Sequence, residues 1–203
     1  AVVMPDSRGT YAVWTAASDQ PGVRRTIAFP NADANSAFWS PDQKWLAFSR
    51  FGRDKDDGVY VQRADGSEPP KGVLKVESVE QFLNMRGWTA DSAGLLVDRF
   101  VDGRGDILVV PVSPSGEGGT PRPLRATPAS ELDPRMSPDG RFLAFESDES
   151  GRFEMYVAAV ANGALTGQPL VVSSGGANRA RWSRDSRQLY MTDPQARVVA
   201  VTI

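Results

Sequence analysis

The 203-residue chain contains no cysteine and no histidine. That excludes disulfides, thiolate nucleophiles, zinc fingers and iron–sulfur ligation. It also excludes every catalytic triad with a histidine base and every HExxH metal site. The phosphate loop GxxxxGK, the dinucleotide loop GxGxxG and the nucleophile elbow GxSxG are absent too. Any catalysis would have to run on carboxylates, Lys, Tyr or Arg alone, and no cofactor or metal is expected. Long apolar runs are missing: the longest goes from Met155 to Ala161, whereas a membrane-spanning helix needs about 20 such residues. AVVMPDSRGT at the start has no basic region followed by an apolar stretch, so no signal peptide is read there. Charge of one sign is also missing. Lys plus Arg is 23 and Asp plus Glu is 25, a net charge of −2, so no basic excess points to nucleic acid or to an anionic membrane surface.

Apolar residues make up 40% of the chain, enough for a packed core. Gly 19 and Pro 15 are more punctuation than a helical protein tolerates, and they predict many short elements joined by turns. A repeat emerges when the chain is cut at those turns. FWSPDQKWLAF, GWTADSAGLLV, RMSPDGRFLAF and RWSRDSRQLYM align on Asp42, Asp91, Asp139 and Asp185, with spacings of 49, 48 and 46. A self-similar period of 40–50 residues is the signature of a solenoid or a propeller.

Each unit reads as four short strands, a to d. Strand a ends at Trp39, Trp88, Met136 or Trp182, and a tight turn follows. Ser at the first turn position and Pro at the second suit a type I turn. Strand b is apolar on consecutive residues: Leu46-Ala47-Phe48, Leu95-Leu96-Val97, Leu143-Ala144-Phe145 and Leu189-Tyr190-Met191. Three apolar residues in a row predict a strand covered on both faces, as when a blade is sandwiched between two others. Strand c is read at 58–64, 106–112, 154–160 and 197–203, and strand d at 72–78, 121–127 and 169–175. The first residues fit as strands b, c and d of a unit. The expected fold is all-β, a propeller of four-stranded blades: partial blade 1–30, blades 31–79, 80–127 and 128–175, and partial blade 176–203. That makes eighteen strands. The chain is expected to be one propeller domain, either part of a larger propeller or an irregular ring of five blades.

The strings FWSPDQKWLAF…GVYV and RMSPDGRFLAFESDESGRFEMYV resemble the TolB-type propeller repeat, a relative of the WD repeat. The resemblance covers essentially the whole chain. With no His, the Gly-His and Trp-Asp network of true WD repeats cannot form. GRFEMYV…RARWSRDSRQLYM also resembles the propeller that follows the kinase domain of some bacterial Ser/Thr protein kinases, although no kinase motif is present. The resemblance implies a bacterial, non-catalytic binding or sensor module for a protein, a peptide, or a polar small ligand or sugar. It implies a periplasmic or other extracytoplasmic place, with the cytoplasm left open. The alternatives are the gating propeller of a larger serine peptidase and the propeller of a sugar lyase or hydrolase.

Several residues invite functional readings. Asp54, Asp56 and Asp57 could form a Ca²⁺ loop, but the positions an EF-hand reserves for Gly and Glu are wrong, and a solvated hairpin is expected. Arg104-Gly105-Asp106 is an adhesion-like tripeptide, placed between strands b and c. The recurring turn aspartates are read as turn stabilisers. Trp39, Trp88 and Trp182 are expected between blades, with Trp14 and Trp45 on the surface. Binding is expected in the d–a loops around the channel mouth, at Asn31, Asp33, Asn35, Glu80, Gln81, Glu131, Asp133, Asn178 and Arg179, because loop positions that break a repeat are free to specialise.

Overall fold

The structure, a computed structural model, describes residues 1–17, 20–27, 29, 32–52, 56–76 and 82–203. Among them there is no helix, hence none long and apolar enough to cross a membrane. The eighteen strands form five antiparallel sheets, each following chain order. β1 (Val2–Pro5), β2 (Tyr11–Ala17) and β3 (Gln20–Ile27) make the first. β4 (Asp33–Trp39), β5 (Trp45–Phe51), β6 (Gly58–Arg63) and β7 (Lys71–Lys75) make the second. β8 (Phe82–Trp88), β9 (Gly94–Val101), β10 (Arg104–Pro111) and β11 (Arg122–Arg125) make the third. β12 (Glu131–Met136), β13 (Phe142–Ser147), β14 (Glu154–Ala161) and β15 (Ala164–Val171) make the fourth. β16 (Asn178–Trp182), β17 (Gln188–Thr192) and β18 (Val198–Thr202) make the last.

The aspartate turns account for the regularity. In each, the fourth residue's N–H donates to the first residue's carbonyl: Gln43 to Ser40 at 2.9 Å, Ser92 to Thr89 at 3.0 Å, Gly140 to Ser137 at 2.9 Å and Ser186 to Ser183 at 3.0 Å. The first residue's hydroxyl donates to the Asp carboxylate, at 2.6 Å from Ser40 to Asp42 and 2.7 Å from Ser137 to Asp139. The same carboxylate accepts the N–H two residues on, from Lys44, Ala93, Arg141 and Arg187. These aspartates are therefore turn pins. The Ser40 hydroxyl and the Lys44 N–H hold Asp42 below the usual carboxylate range. Asp139 sits at about 2, because the Ser137 hydroxyl and the Arg141 contacts outweigh an opposing effect of burial.

Four hydrophobic cores join the five sheets in succession. The first gathers Val13, Ala34, Leu46 and Phe48. The second holds Trp45, Ala47, Met85, Trp88, Leu95 and Val97. The third holds Leu96, Val109, Leu143, Phe145 and Tyr156, and the fourth Ala144, Met155, Ala180, Leu189 and Met191. A ring of five blades would need a fifth core between the last sheet and the first. Among the described residues no such core forms, so the sheets make an open arc of propeller blades.

Several sequence expectations are corrected. Strand d of the fourth sheet starts at Ala164 rather than 169. Asn162 and Gly163 both have positive φ, 52° and 71°, which is the two-residue hairpin turn that an Asn-Gly pair favours, and it pairs Ala161 with Ala164 directly. Asp102 and Gly103 do the same between β9 and β10. Arg104-Gly105-Asp106 consequently lies inside strand β10 and not in a loop, and Gly105 and Asp106 are buried. A Cβ at position 105 would come within 2.2 Å of Leu132, and Asp106 faces Arg99 at 3.3 Å, so the tripeptide is not presented for adhesion. Trp45 is buried at 5% exposure, under the Arg63 guanidinium, while Trp39 is 38% exposed. Their expected places are thus reversed. Trp14 is half-buried, and its indole donates to the Met4 carbonyl. Tyr190, expected to be covered, is 38% exposed.

Candidate functional site: the inner-strand groove

Strand a is the inner strand of each blade, and β4, β8, β12 and β16 pack in sequence. Side chains staple them together. The Trp88 indole donates to the Phe38 carbonyl at 3.1 Å, and the Trp182 indole to the Arg135 carbonyl at 2.8 Å. At the fourth sheet the repeat has Met136 in place of Trp, and there the Arg135 guanidinium takes over, donating to the Arg86 carbonyl. Trp39 would need a strand a in the sheet before it. The first sheet has none among the described residues, so Trp39 stays half-open.

The C-terminal ends of these strands line a groove of about 310 Å³ whose walls include Phe38, Trp39, Arg86, Arg135, Arg181 and Trp182. Arg86 pairs with Asp98 at 2.5 Å and with Asp133 at 3.4 Å, and Arg135 pairs with Asp133 at 2.6 Å. Arg135 also lies over the Phe38 ring. Arg181 differs. Its guanidinium donates to the Ala180 carbonyl at 2.7 Å, and it makes no ion pair among the described residues. The groove therefore combines flat aromatic surface with one uncompensated cation.

Two carboxyls beside this groove titrate high. Burial pushes Asp98 up to about 6 against the opposing pull of Arg86, and its Oδ1 has no hydrogen-bond partner among the described residues. Glu146 is pushed to about 7, by burial first and then by the negative charge of Asp133, while the Arg179 N–H opposes the rise at 3.3 Å.

The expected channel-mouth residues that are described fall at the start of the inner strands. Asn31, Glu80 and Gln81 lie outside the described residues. Of the rest, Asp33 and Asn35 belong to β4, Glu131 and Asp133 to β12, and Asn178 and Arg179 to β16, so they sit in strand a rather than in d–a loops. Asp33 accepts the Tyr11 N–H at 2.8 Å and ties β4 to β2. Asn35 is exposed and accepts the Ser36 N–H at 2.7 Å. Glu131 is fully buried under the Thr127 N–H and hydroxyl, and Arg125 lies 3.5 Å away. Asp133 is buried between its two arginines. Asn178 and Arg179 are exposed. Ser36, Asp133 and Arg179 share a positive φ three residues before the end of strand a. Register shifts there mark a β-bulge in each inner strand, as also occurs near Gly87 in β8. Asp54 of the Ca²⁺ reading is outside the described residues, and Asp57 is buried in an ion pair with Arg50 at 2.9 Å.

The groove residues Arg86, Arg135 and Arg181 were not among the expected sites. Their signal is present in the sequence: MRGW, DPRM and RARW each carry an Arg one or two places before the end of strand a.

No family model matches the chain. Solved structures similar to it include TolB from Acinetobacter baumannii, at TM-score 0.69 and 18% identity, covering 98% of this chain and 51% of that one. A puromycin-hydrolyzing peptidase from Mycobacterium tuberculosis matches at TM-score 0.70 and 20% identity, over 99% of this chain and 35% of that one. An oligogalacturonate lyase in complex with manganese matches at 0.64 and 16%, over 89% and 50%. The chain thus spans about half the length of the TolB chain. Its fold is that of a β-propeller of four-stranded blades, present as an arc, and it resembles the TolB-type propellers.

Proposed function

We propose that this propeller is a non-catalytic binding module that takes an acidic peptide segment of a partner protein in the inner-strand groove. The observation that carries the reading is the groove's composition: Trp39, Phe38 and Trp182 offer aromatic surface, and Arg181 offers a cation that no carboxylate of the described residues neutralises. Aromatic and Arg side chains are what binding hot spots are made of. A chain with neither His nor Cys places no thiolate and no histidine-activated nucleophile there. The test is fluorescence-anisotropy binding of labelled acidic and charge-neutral peptide pools. Acidic pools should be retained, Arg181→Glu should weaken retention at least about tenfold, and added salt should weaken it further. Equal binding of neutral pools, or indifference to Arg181→Glu, would overturn the reading.

A second reading is the gating propeller of a larger serine peptidase. The likeness to the puromycin-hydrolyzing peptidase, of which this chain covers 35%, favours it. The flanking coding sequence separates the two: an α/β-hydrolase segment downstream supports the peptidase, and a kinase or membrane segment upstream supports the sensor.

A further inference from the structure

A larger groove, about 530 Å³, opens between the third and fourth sheets, on the side of the aspartate turns. It sits where the repeat breaks. The strand-a residue that is Trp in the second, third and last sheets is Met136 here, and Met136 lines the groove. The fourth turn residue, whose hydroxyl at Ser92 and Ser186 accepts a backbone N–H from the previous blade's turn (that of Asp42 and of Asp139, both at 3.1 Å), is Gly140 here. An indole and a bridging hydroxyl are thus both missing from one junction. The floor is apolar: Val109, Leu124, Met136 and Val160.

The rim carries opposite charges that do not meet. Arg122 makes no hydrogen bond or ion pair among the described residues. Its Nη2 sits over Gly163, 2.9 Å from where a Cβ would be. Among the described residues Asp91 forms no ion pair either. The Thr89 hydroxyl and the Ala93 N–H occupy its Oδ1, and among the described residues Oδ2 has no hydrogen-bond donor; the Thr89 bond keeps the carboxyl below the usual range and ionised. Both charged residues line the same groove and stand further apart than an ion pair. Complementing both takes a ligand with an anion at one end, a cation at the other and an apolar body between. A groove of this volume is within the range of small-molecule sites.

We infer that the junction between the third and fourth sheets is a binding site for a short apolar peptide with free termini, its carboxylate on Arg122, its ammonium on Asp91 and its side chains over Met136. This site shares Met136 and Pro138 with the inner-strand groove, but its two charged anchors, Arg122 and Asp91, line this groove and not that one.

The probe is the dipeptide leucyl-leucine, titrated calorimetrically into the intact chain alongside its N-acetyl and C-amide forms. Saturable binding is expected for the dipeptide, with each blocked form at least about tenfold weaker, as loss of a charged hydrogen bond implies. Arg122→Gln and Asp91→Asn should each weaken binding by about the same factor. Met136→Trp restores the residue found at the other three junctions and should abolish binding, with a melting temperature at or above that of the parent. Absence of saturable binding up to about 10 mM would overturn the inference, since it leaves the contacts worth less than about 3 kcal/mol. Equal affinity for the blocked forms, or full affinity in a folded Met136→Trp variant, would overturn it as well.

Discussion

Strands β13 and β17 carry the same motif and meet different fates. In β13, Leu143, Ala144 and Phe145 are all fully buried: Leu143 and Phe145 join the third core, and Ala144 the fourth. In β17, Leu189 is buried and Met191 nearly so, but Tyr190 between them is 38% exposed. Side chains alternate across a strand, so a consecutive apolar run is covered only where a sheet has neighbours on both sides. The fourth sheet lies between two sheets. The last, among the described residues, has one on a single side. Burial in this molecule is thus a property of the stacking order and not of the motif.

The comparison can be broken first at its largest expected effect. Phe145→Ala should cost about 3–5 kcal/mol, the usual range for emptying a buried aromatic site, whereas Tyr190→Ala should cost under about 1 kcal/mol. Denaturant melts of the two variants check this, and equal losses would mean that the outer face of the last sheet is covered in solution. Next comes the tryptophan pair. Trp88 is 6% exposed and bonded across the blade junction, and Trp39 is 38% exposed. Trp88→Ala should cost about 3–5 kcal/mol and Trp39→Ala well under half of that.

The smallest expected effect is a pH dependence with two opposed windows. Glu154 is held at about 2: burial pushes it up, but the Ser173 hydroxyl at 2.5 Å, Arg152 at 2.6 Å and the N–H groups of Gly175 and Gly176 more than compensate. A depressed carboxyl stabilises the fold above its unfolded value, near 4, and that contribution is lost as pH falls towards 2. Asp98 and Glu146 act the other way. With folded values of about 6 and about 7, the native state binds protons that the unfolded chain has released, so stability declines as pH rises from about 4 to about 7. Thermal melts against pH should show a maximum in mildly acidic solution. Asp98→Asn with Glu146→Gln should flatten its neutral side, and Glu154→Gln its acidic side. A profile unchanged by the double substitution would contradict the burial of those two carboxyls.

Much of the fold was legible because propeller blades write their geometry locally. The Ser/Thr-x-Asp turn needs only neighbouring residues: a hydroxyl, a carboxylate and a fourth position that tolerates positive φ. The same turn therefore recurs at Asp42, Asp91, Asp139 and Asp185. The Asn162-Gly163 hairpin was equally readable and fixes the start of β15, yet the apolar run at 169–175 drew the strand boundary too late. The grooves were less legible. Arg86, Arg135 and Arg181 stand on inner strands, where an expectation centred on loops does not reach. Glu131 looks in sequence like any polar loop residue, but it is sealed beneath Thr127.

By itself the sequence determined the all-β class, the repeat and the turns, because these depend on contacts within a few residues. Only the tertiary structure decided which apolar residues have a partner on each face, which arginines meet a carboxylate, and where the missing indole at Met136 leaves a space. Those outcomes depend on residues nearly fifty positions apart, brought together by the stacking of one blade on the next, and a linear pattern does not record which side of a blade is left uncovered.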